Sequence, residues 1–181
     1  MHNGGLGGWN YIKRSLGALL ENEWYAVVKG STDTEWAFAL FLNTLAKMGL
    51  NPDKPPVDGF GPTVLRVALT RTIRQINDLI KDIPADIIEK ENVDCRSLLN
   101  FAVSDGHTVI CSRYVSSEKD EAASLYYSSG SSWVDKDGGN NHTNPKDKGV
   151  KDSGNYHMDR KDKGADVVLV ASEPLSFERG P

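Results

Sequence analysis

Two short stretches of this sequence hold residue types that can act on an amide bond: His2-Asn3-Gly4 at its start and Thr32-Asp33-Thr34-Glu35 farther on. Cleaving an amide builds negative charge on the carbonyl oxygen, so a site needs hydrogen-bond donors aimed at that oxygen and a group that holds the substrate. The side-chain NH2 of Asn3 and the backbone N–H of Gly4, unshielded by any Cβ, are donors of that kind. Asp33 would stand in the first turn of a helix, where its carboxylate can pair with a substrate ammonium at a mouth between helix and sheet. Glutamine carries such an ammonium. Each feature also has an ordinary structural explanation: Asn-Gly makes a tight turn, and an Asp in a first helical turn is favoured by the helix dipole. On residue types and spacing alone, turn and cap outweigh catalysis, because motifs this short recur by chance.

The other constellations are weaker. Gly4-Gly5-Leu6-Gly7-Gly8 lacks the GK[ST] of a phosphate loop and follows no visible strand, so nucleotide binding is not expected. His142 and His157 stand alone in a polar segment without a second close ligand, which gives no metal site, and no cofactor is expected. His107 reads as a hairpin residue, and there is no G-x-S-x-G. The two cysteines, Cys95 and Cys111, form no CxxC, which argues against a disulfide framework or a zinc knuckle. Both are expected to be reduced, buried and inert. Neither has a recognisable base nearby, so neither is expected to serve as a nucleophile. Asn141-His142-Thr143 matches a glycosylation acceptor, a pattern that matters only in a secreted chain.

The elements that must position Asn3, Gly4 and Asp33 are legible from periodicity. Residues 1–8 read as a glycine-rich turn. Ile12, Leu16, Leu19 and Leu20 fall at helical spacing within 9–20, with Lys13, Arg14 and Glu21 on the wet side. A short apolar run at 24–28 follows. The sharpest start signal is Thr32-x-x-Glu35, the pattern in which the Thr hydroxyl and the Glu carboxylate each satisfy an orphan backbone donor. The helix it opens continues to Met48, stops at Gly49, and is apolar on nearly every side, hence buried on more than one face. Residues 51–62 are a proline- and glycine-rich loop. A second long helix then carries Leu65, Leu69, Thr72 or Ile73, Ile76, and Leu79 or Ile80 on one stripe. Past Asn92 the period shifts toward two: 98–103 and 108–115 read as strands joined across Ser104-Asp105-Gly106-His107, a hairpin signal. Two more strands are expected at 123–128 and 165–171. Residues 135–164 have almost nothing to bury and read as a disordered polar insertion. Helices first and hairpin-connected strands afterwards predict an α+β architecture with mostly antiparallel sheet.

Composition sets the outer bounds. With 181 residues, one domain is the default. Apolar residues at 39% and charged residues at 25% describe a globular chain. A net charge of −4 without a basic stripe argues against nucleic acid as a partner. No run approaches the roughly 18 apolar residues of a membrane span, and the first residues lack the regions of a signal peptide. A cytoplasmic protein with no membrane partner is expected.

Taken together, His2-Asn3-Gly4 and Ser31-Thr32-Asp33-Thr34-Glu35 resemble the HNG and TDTE pair of class II glutamine amidotransferases, in particular the fungal glutathione-degrading amidotransferase subunit. The likeness extends through Leu98-Leu99-Asn100-Phe101-Ala102-Val103, Asp120-Glu121-Ala122-Ala123-Ser124-Leu125 and Ala171-Ser172-Glu173-Pro174-Leu175, nearly all of the chain outside the insertion. The resemblance implies an N-terminal-nucleophile hydrolase with a four-layer αββα sandwich, of which 1–181 would be an incomplete domain. It implies that Asn3 and Gly4 form the oxyanion hole and that Asp33 binds the α-amino group of glutamine, with Gly4 also contacting substrate. It implies a cysteine nucleophile at a mature N-terminus and an arginine for the substrate carboxylate, both upstream of the HNG turn and so expected to be missing here. Glutamine or a γ-glutamyl peptide such as glutathione is the implied substrate, with a peptidase-like partner subunit. The rival expectation is a non-catalytic remnant that only binds a partner.

Overall fold

Amphipathic helices dominate the first part of the chain because its apolar residues recur with the helical period, and strands take over where that period shortens. The computed structural model describes residues 1–130, 132–135, 156–159 and 167–173. The chain divides into two compact units, Met1–Ala123 and Ser124–Pro181, where composition alone suggested one.

In the first unit, β1 (His2–Gly5) leads into α1 (Trp9–Leu19), α2 (Asn22–Val27), α3 (Asp33–Lys47), α4 (Pro62–Lys81) and α5 (Ala85–Glu91), followed by β2 (Leu98–Ser104) and β3 (Val109–Cys111). The strands form an antiparallel sheet of order β1-β2-β3. Helices α1, α3 and α4 pack on one another, and their apolar stripes meet in a core that includes Ile12, Leu16, Leu40, Leu45, Leu65 and Ile76, with Leu99 of β2 joining them. Helix α3 is buried on several faces, as its sequence demands, although Phe38 stays 52% exposed. Buried Asn43 is satisfied at both ends: its Oδ1 accepts the Glu21 N–H at 3.1 Å and its Nδ2 donates to Leu19 O at 3.2 Å, pinning the α1–α2 joint onto α3. A buried amide left unpaired there would cost about 1–3 kcal/mol.

In the second unit, β4 (Tyr126–Gly130) pairs antiparallel with β7 (Val167–Ala171), and β5 (Ser132–Asp135) with β6 (Tyr156–Asp159). Asp135 and β6 fall inside the segment read from sequence as disordered; for these residues strand pairing replaces that reading. Residues 136–155 and 160–166, with His142 and the Asn141-His142-Thr143 triplet, lie outside the described residues. His157, read as standing alone in a polar segment, sits in β6, paired with Val134.

Several local expectations are corrected. The glycine-rich turn at 1–8 contains a strand, because residues 98–101 supply ladder partners that no local pattern reveals. Helix α5 was missed: it is short, is preceded by Pro84, and buries no residue, so it has no apolar stripe to read. Of the 108–115 run, only 109–111 is strand, with an isolated bridge between Leu98 and Val115. Cys111 is exposed and Cys95 half-buried, so neither is the core cysteine expected; Cys111 does share a face with Val109, but it is the solvent face. Among the described residues, no helix is long and apolar enough to cross a membrane.

The loop before α4 is held by one side chain. The Asp105 carboxylate, at the β2–β3 turn, accepts N–H groups from Phe60 (2.7 Å) and Gly61 (3.3 Å) as well as from His107 (3.0 Å) and Thr108 (2.7 Å). The Thr108 N–H in the first place, then those of His107, Phe60 and Gly61, outweigh desolvation and hold this carboxyl at about 2. A depressed native value means that the stabilisation is complete above the ordinary carboxyl range and is lost as pH falls through about 2. Asp105→Asn should therefore melt at a lower temperature than the native chain at neutral pH. Melting curves of the two should converge as the pH is taken from 5 down through that region, and a gap independent of pH would show that the carboxylate charge is not what holds the loop.

Candidate functional site

The geometry of the site begins with how β1 spends its backbone. Met1 and Ala102 exchange both hydrogen bonds, Ala102 N–H to Met1 O at 2.9 Å and the Met1 ammonium to Ala102 O at 3.0 Å. In an antiparallel ladder such pairs alternate with pairs that exchange none. With Asn3 opposite Asn100 and Gly4 opposite Leu99, the backbone of Asn3 turns toward β2. The N–H groups of His2 and Gly4 turn away from it, to the open edge of the described sheet. Gly4 has φ 133°, and a Cβ there would lie 1.8 Å from Leu98 O, so no other residue fits this conformation at this distance. Both Asn3 and Gly4 are exposed.

Asp33 stands beside this strand. Thr32 caps α3, its hydroxyl accepting the Glu35 N–H at 3.4 Å, and Asp33 is the first helical residue. The reciprocal half of the expected capping box is not made: the Glu35 carboxylate instead accepts the N–H groups of Lys29 (2.6 Å) and Gly30 (2.8 Å), fastening the loop that enters the helix. The Asp33 carboxylate, half-buried, accepts the Leu6 N–H through Oδ2 at 3.0 Å and the Thr34 N–H through Oδ1 at 2.7 Å. Its Oδ2 would be 3.6 Å from a Cβ on Gly5. Among the described residues no cation pairs with it. A carboxylate has about four lone-pair sites, so these backbone bonds leave acceptor capacity for an ammonium.

Sequence reasoning paid no attention to His2 beyond its place in the motif, yet its ring joins the two stretches. Nδ1 lies 3.0 Å from Thr34 Oγ1 and Nε2 lies 3.1 Å from Leu98 O, while the ring packs on Phe101 with centroids 4.4 Å apart. A histidine separated from a Thr/Asp helix start by a whole helical hairpin gives no local signal of such a bond.

Two cavities flank the junction. One, near the α1 start, is bordered by Gly5, Leu6, Trp9 and Arg96; the other, mostly apolar, is bordered by Met1, Thr34, Phe38, Phe41 and Phe101. Neither has Asn3, Gly4 or Asp33 in its wall. Cys111 lies instead beside Arg66 and Thr70, on the strand at the far side of β2. Partial desolvation by its neighbours pushes the Cys111 thiol up although the residue is exposed, and desolvation followed by the charge of Asp94 does the same for half-buried Cys95, the opposite of what an attacking thiolate needs. Among the described residues no cluster of His, Cys, Asp or Glu could hold a metal ion.

The close approach of Gly4 to Leu98 is open to test. Gly4→Ala should cost at least about 1–3 kcal/mol, the scale of a strained backbone residue, and should peel β1 from β2. Hydrogen exchange at the Ala102 amide, bonded to Met1, should accelerate; full protection of that amide in the variant would contradict the geometry.

No protein-family model matches the chain. It is 47% identical over 180 residues to the probable glutamine amidotransferase DUG3 of Saccharomyces cerevisiae, a match that takes in 99% of this chain and 45% of that protein. Among solved structures, a glutamine aminotransferase class-II domain protein from Silicibacter pomeroyi matches 72% of this chain and 48% of its own, with a TM-score of 0.50 and 28% identity. The chain thus spans about half the length of each relative. Likeness of sequence and likeness of fold agree with the motifs quoted above: over nearly all of its length the chain is similar to a probable glutamine amidotransferase, and over most of it to a glutamine aminotransferase class-II domain protein.

Proposed function

We propose that the open edge of β1 and the first turn of α3 form the substrate-binding part of an amidohydrolase site for glutamine or a γ-glutamyl peptide, within an N-terminal-nucleophile αββα sandwich. What supports the reading is the placement of an unspent Gly4 N–H on a strand edge next to a strand-anchored carboxylate, Asp33, with no cation partner among the described residues. Asp33 takes the α-ammonium of the substrate. The Gly4 N–H and the Asn3 amide receive the oxyanion that forms when a thiolate adds to the γ-carbonyl carbon. Collapse of that intermediate returns the electron pair to the carbonyl and expels the amine, ammonia from glutamine or the peptide amine from a γ-glutamyl peptide, the departing nitrogen receiving the proton that the α-amine of the nucleophilic residue took from its thiol. A γ-glutamyl thioester is left, which water hydrolyses to glutamate. In the family the thiolate belongs to a cysteine at the mature N-terminus; Cys95 and Cys111, with their raised thiols, do not suit the part.

The groups that Asp33 and the edge donors would read are common to glutamine and to every γ-glutamyl peptide, so glutathione, with a peptidase-like partner subunit, fits as well as glutamine does. A second reading, a non-catalytic binding module, draws on the apolar cavity rimmed by Phe38, Phe41 and Phe101, since a half-exposed Phe at such a rim is what a docking surface offers.

Calorimetric titration separates these. The chain should bind L-glutamine and fail to bind glutaramate, which lacks the α-ammonium. Asp33→Asn should weaken glutamine at least tenfold, about 1.4 kcal/mol, with melting followed in parallel to register any loss of the Leu6 link. In a form of the protein that turns over, Asn3→Ala should lower kcat by about 2.7–4 kcal/mol worth of rate, as other lost oxyanion donors do, and leave KM nearly unchanged. Equal affinity for glutamine and glutaramate would end the assignment of Asp33, and no affinity for either would leave the binding-module reading.

A further inference from the structure

We propose that His2 is a positioning residue: with Thr34 as its partner, its ring is the strut that sets the separation between the oxyanion donors on β1 and the ammonium acceptor at the start of α3. The inference rests on the proposed function of that site and adds to it the part that holds its two halves in register.

One ring touches both halves. The Nε2 side faces Leu98 O, which can only accept, so in the neutral ring Nε2 carries the proton and Nδ1 accepts the Thr34 hydroxyl. Leu98 O is the same atom that crowds Gly4, so the Nε2 bond fixes the carbonyl against which the donor residue is packed. Thr34, at the other end, gives its own N–H to Asp33 Oδ1 at 2.7 Å. With the Thr34 hydroxyl spent on Nδ1, its 3.4 Å approach to Asp33 Oδ1 is secondary, so beside the Thr34 N–H that oxygen keeps acceptor capacity. The stack of His2 on Phe101, its cross-strand neighbour, removes the remaining freedom of the ring. A ligand that reaches from Asp33 to Gly4 must match a distance that this ring sets. A ligand that reads Asp33 alone need not.

That difference gives the strut a signature that general loss of stability lacks. Thr34→Val removes the hydroxyl and keeps the shape; Thr34→Ser keeps the hydroxyl; His2→Asn keeps a polar side chain but cannot reach both partners. L-Glutamine spans the two halves, whereas L-2-aminobutyrate carries the same α-ammonium and α-carboxylate and has no γ-carbonyl. Affinity for glutamine should fall at least fivefold in Thr34→Val and in His2→Asn and return in Thr34→Ser, while affinity for 2-aminobutyrate should change less than twofold. In long-range proton–nitrogen spectra of the ligand-free chain, the Nδ1 signal of His2 should move in Thr34→Val and stay in Thr34→Ser.

Glutamine binding by the native chain that persists undiminished in Thr34→Val overturns the strut and leaves the site assignment standing. Equal weakening of both ligands also overturns it, since that would mean Thr34 only shapes Asp33. Failure of the native chain to bind glutamine sinks the site assignment, and the positioning role with it. The two failures are therefore told apart by the native chain alone.

Discussion

The carboxylate of Asp33 belongs to two elements at once. It is the first residue of α3, yet it accepts a backbone N–H from Leu6, just past the end of β1, as well as one from its own helix. Charge-assisted bonds of this kind contribute about 1.5–3 kcal/mol each. Here they also decide a position: the helix layer is registered against the strand at the point where the motif residues lie. The glycine run beyond is fastened in the same manner, with the Gly7 N–H donated to Ser97 Oγ at 2.9 Å and the Gly8 N–H to Asp94 O at 2.8 Å. Three successive N–H groups thus find oxygen acceptors on two different segments, and the chain between β1 and α1 has little freedom left.

The candidate oxyanion donor follows from a feature that sheets usually avoid. An open strand edge leaves N–H groups unpaired and invites association with other chains. An enzyme that stabilises a developing oxyanion needs such an N–H, fixed in place and not already spent. On β1 the alternation of paired and unpaired residues turns the Gly4 N–H to the open edge, and the close contact with Leu98 O explains why the position holds glycine.

Around this junction the remaining architecture serves as a frame. Helices α1, α3 and α4 bury their stripes together, Asn43 locks the α1–α2 joint onto α3, and Asp105 ties the loop before α4 to the sheet. Polar groups bridge segments distant in sequence wherever a joint must be held, and apolar contacts supply the bulk between joints. The matched stretches take in about half of each relative's own length.

Much of this was written locally in the sequence. The helix at 33–47 announced itself through Thr32, its apolar run and Gly49; the helix at 62–81 through its stripe; the β2–β3 hairpin through Asp105-Gly106. Each depends on interactions within a few residues, and these are the interactions a periodic pattern encodes. Motif residues Asn3, Gly4 and Asp33 were also legible as residue types, and their order along the chain carried the resemblance to class II glutamine amidotransferases. What no local pattern held was that 2–5 is a strand, because its partners lie at 98–101, or that Cys111 faces solvent. Nor could sequence show that Asp33 reaches Leu6, that Glu35 abandons its capping role for Lys29 and Gly30, or that His2 spans to Thr34. Those bonds join segments separated by turns of chain whose closure is decided by the packing of the helices between them, and only the tertiary structure sets that distance.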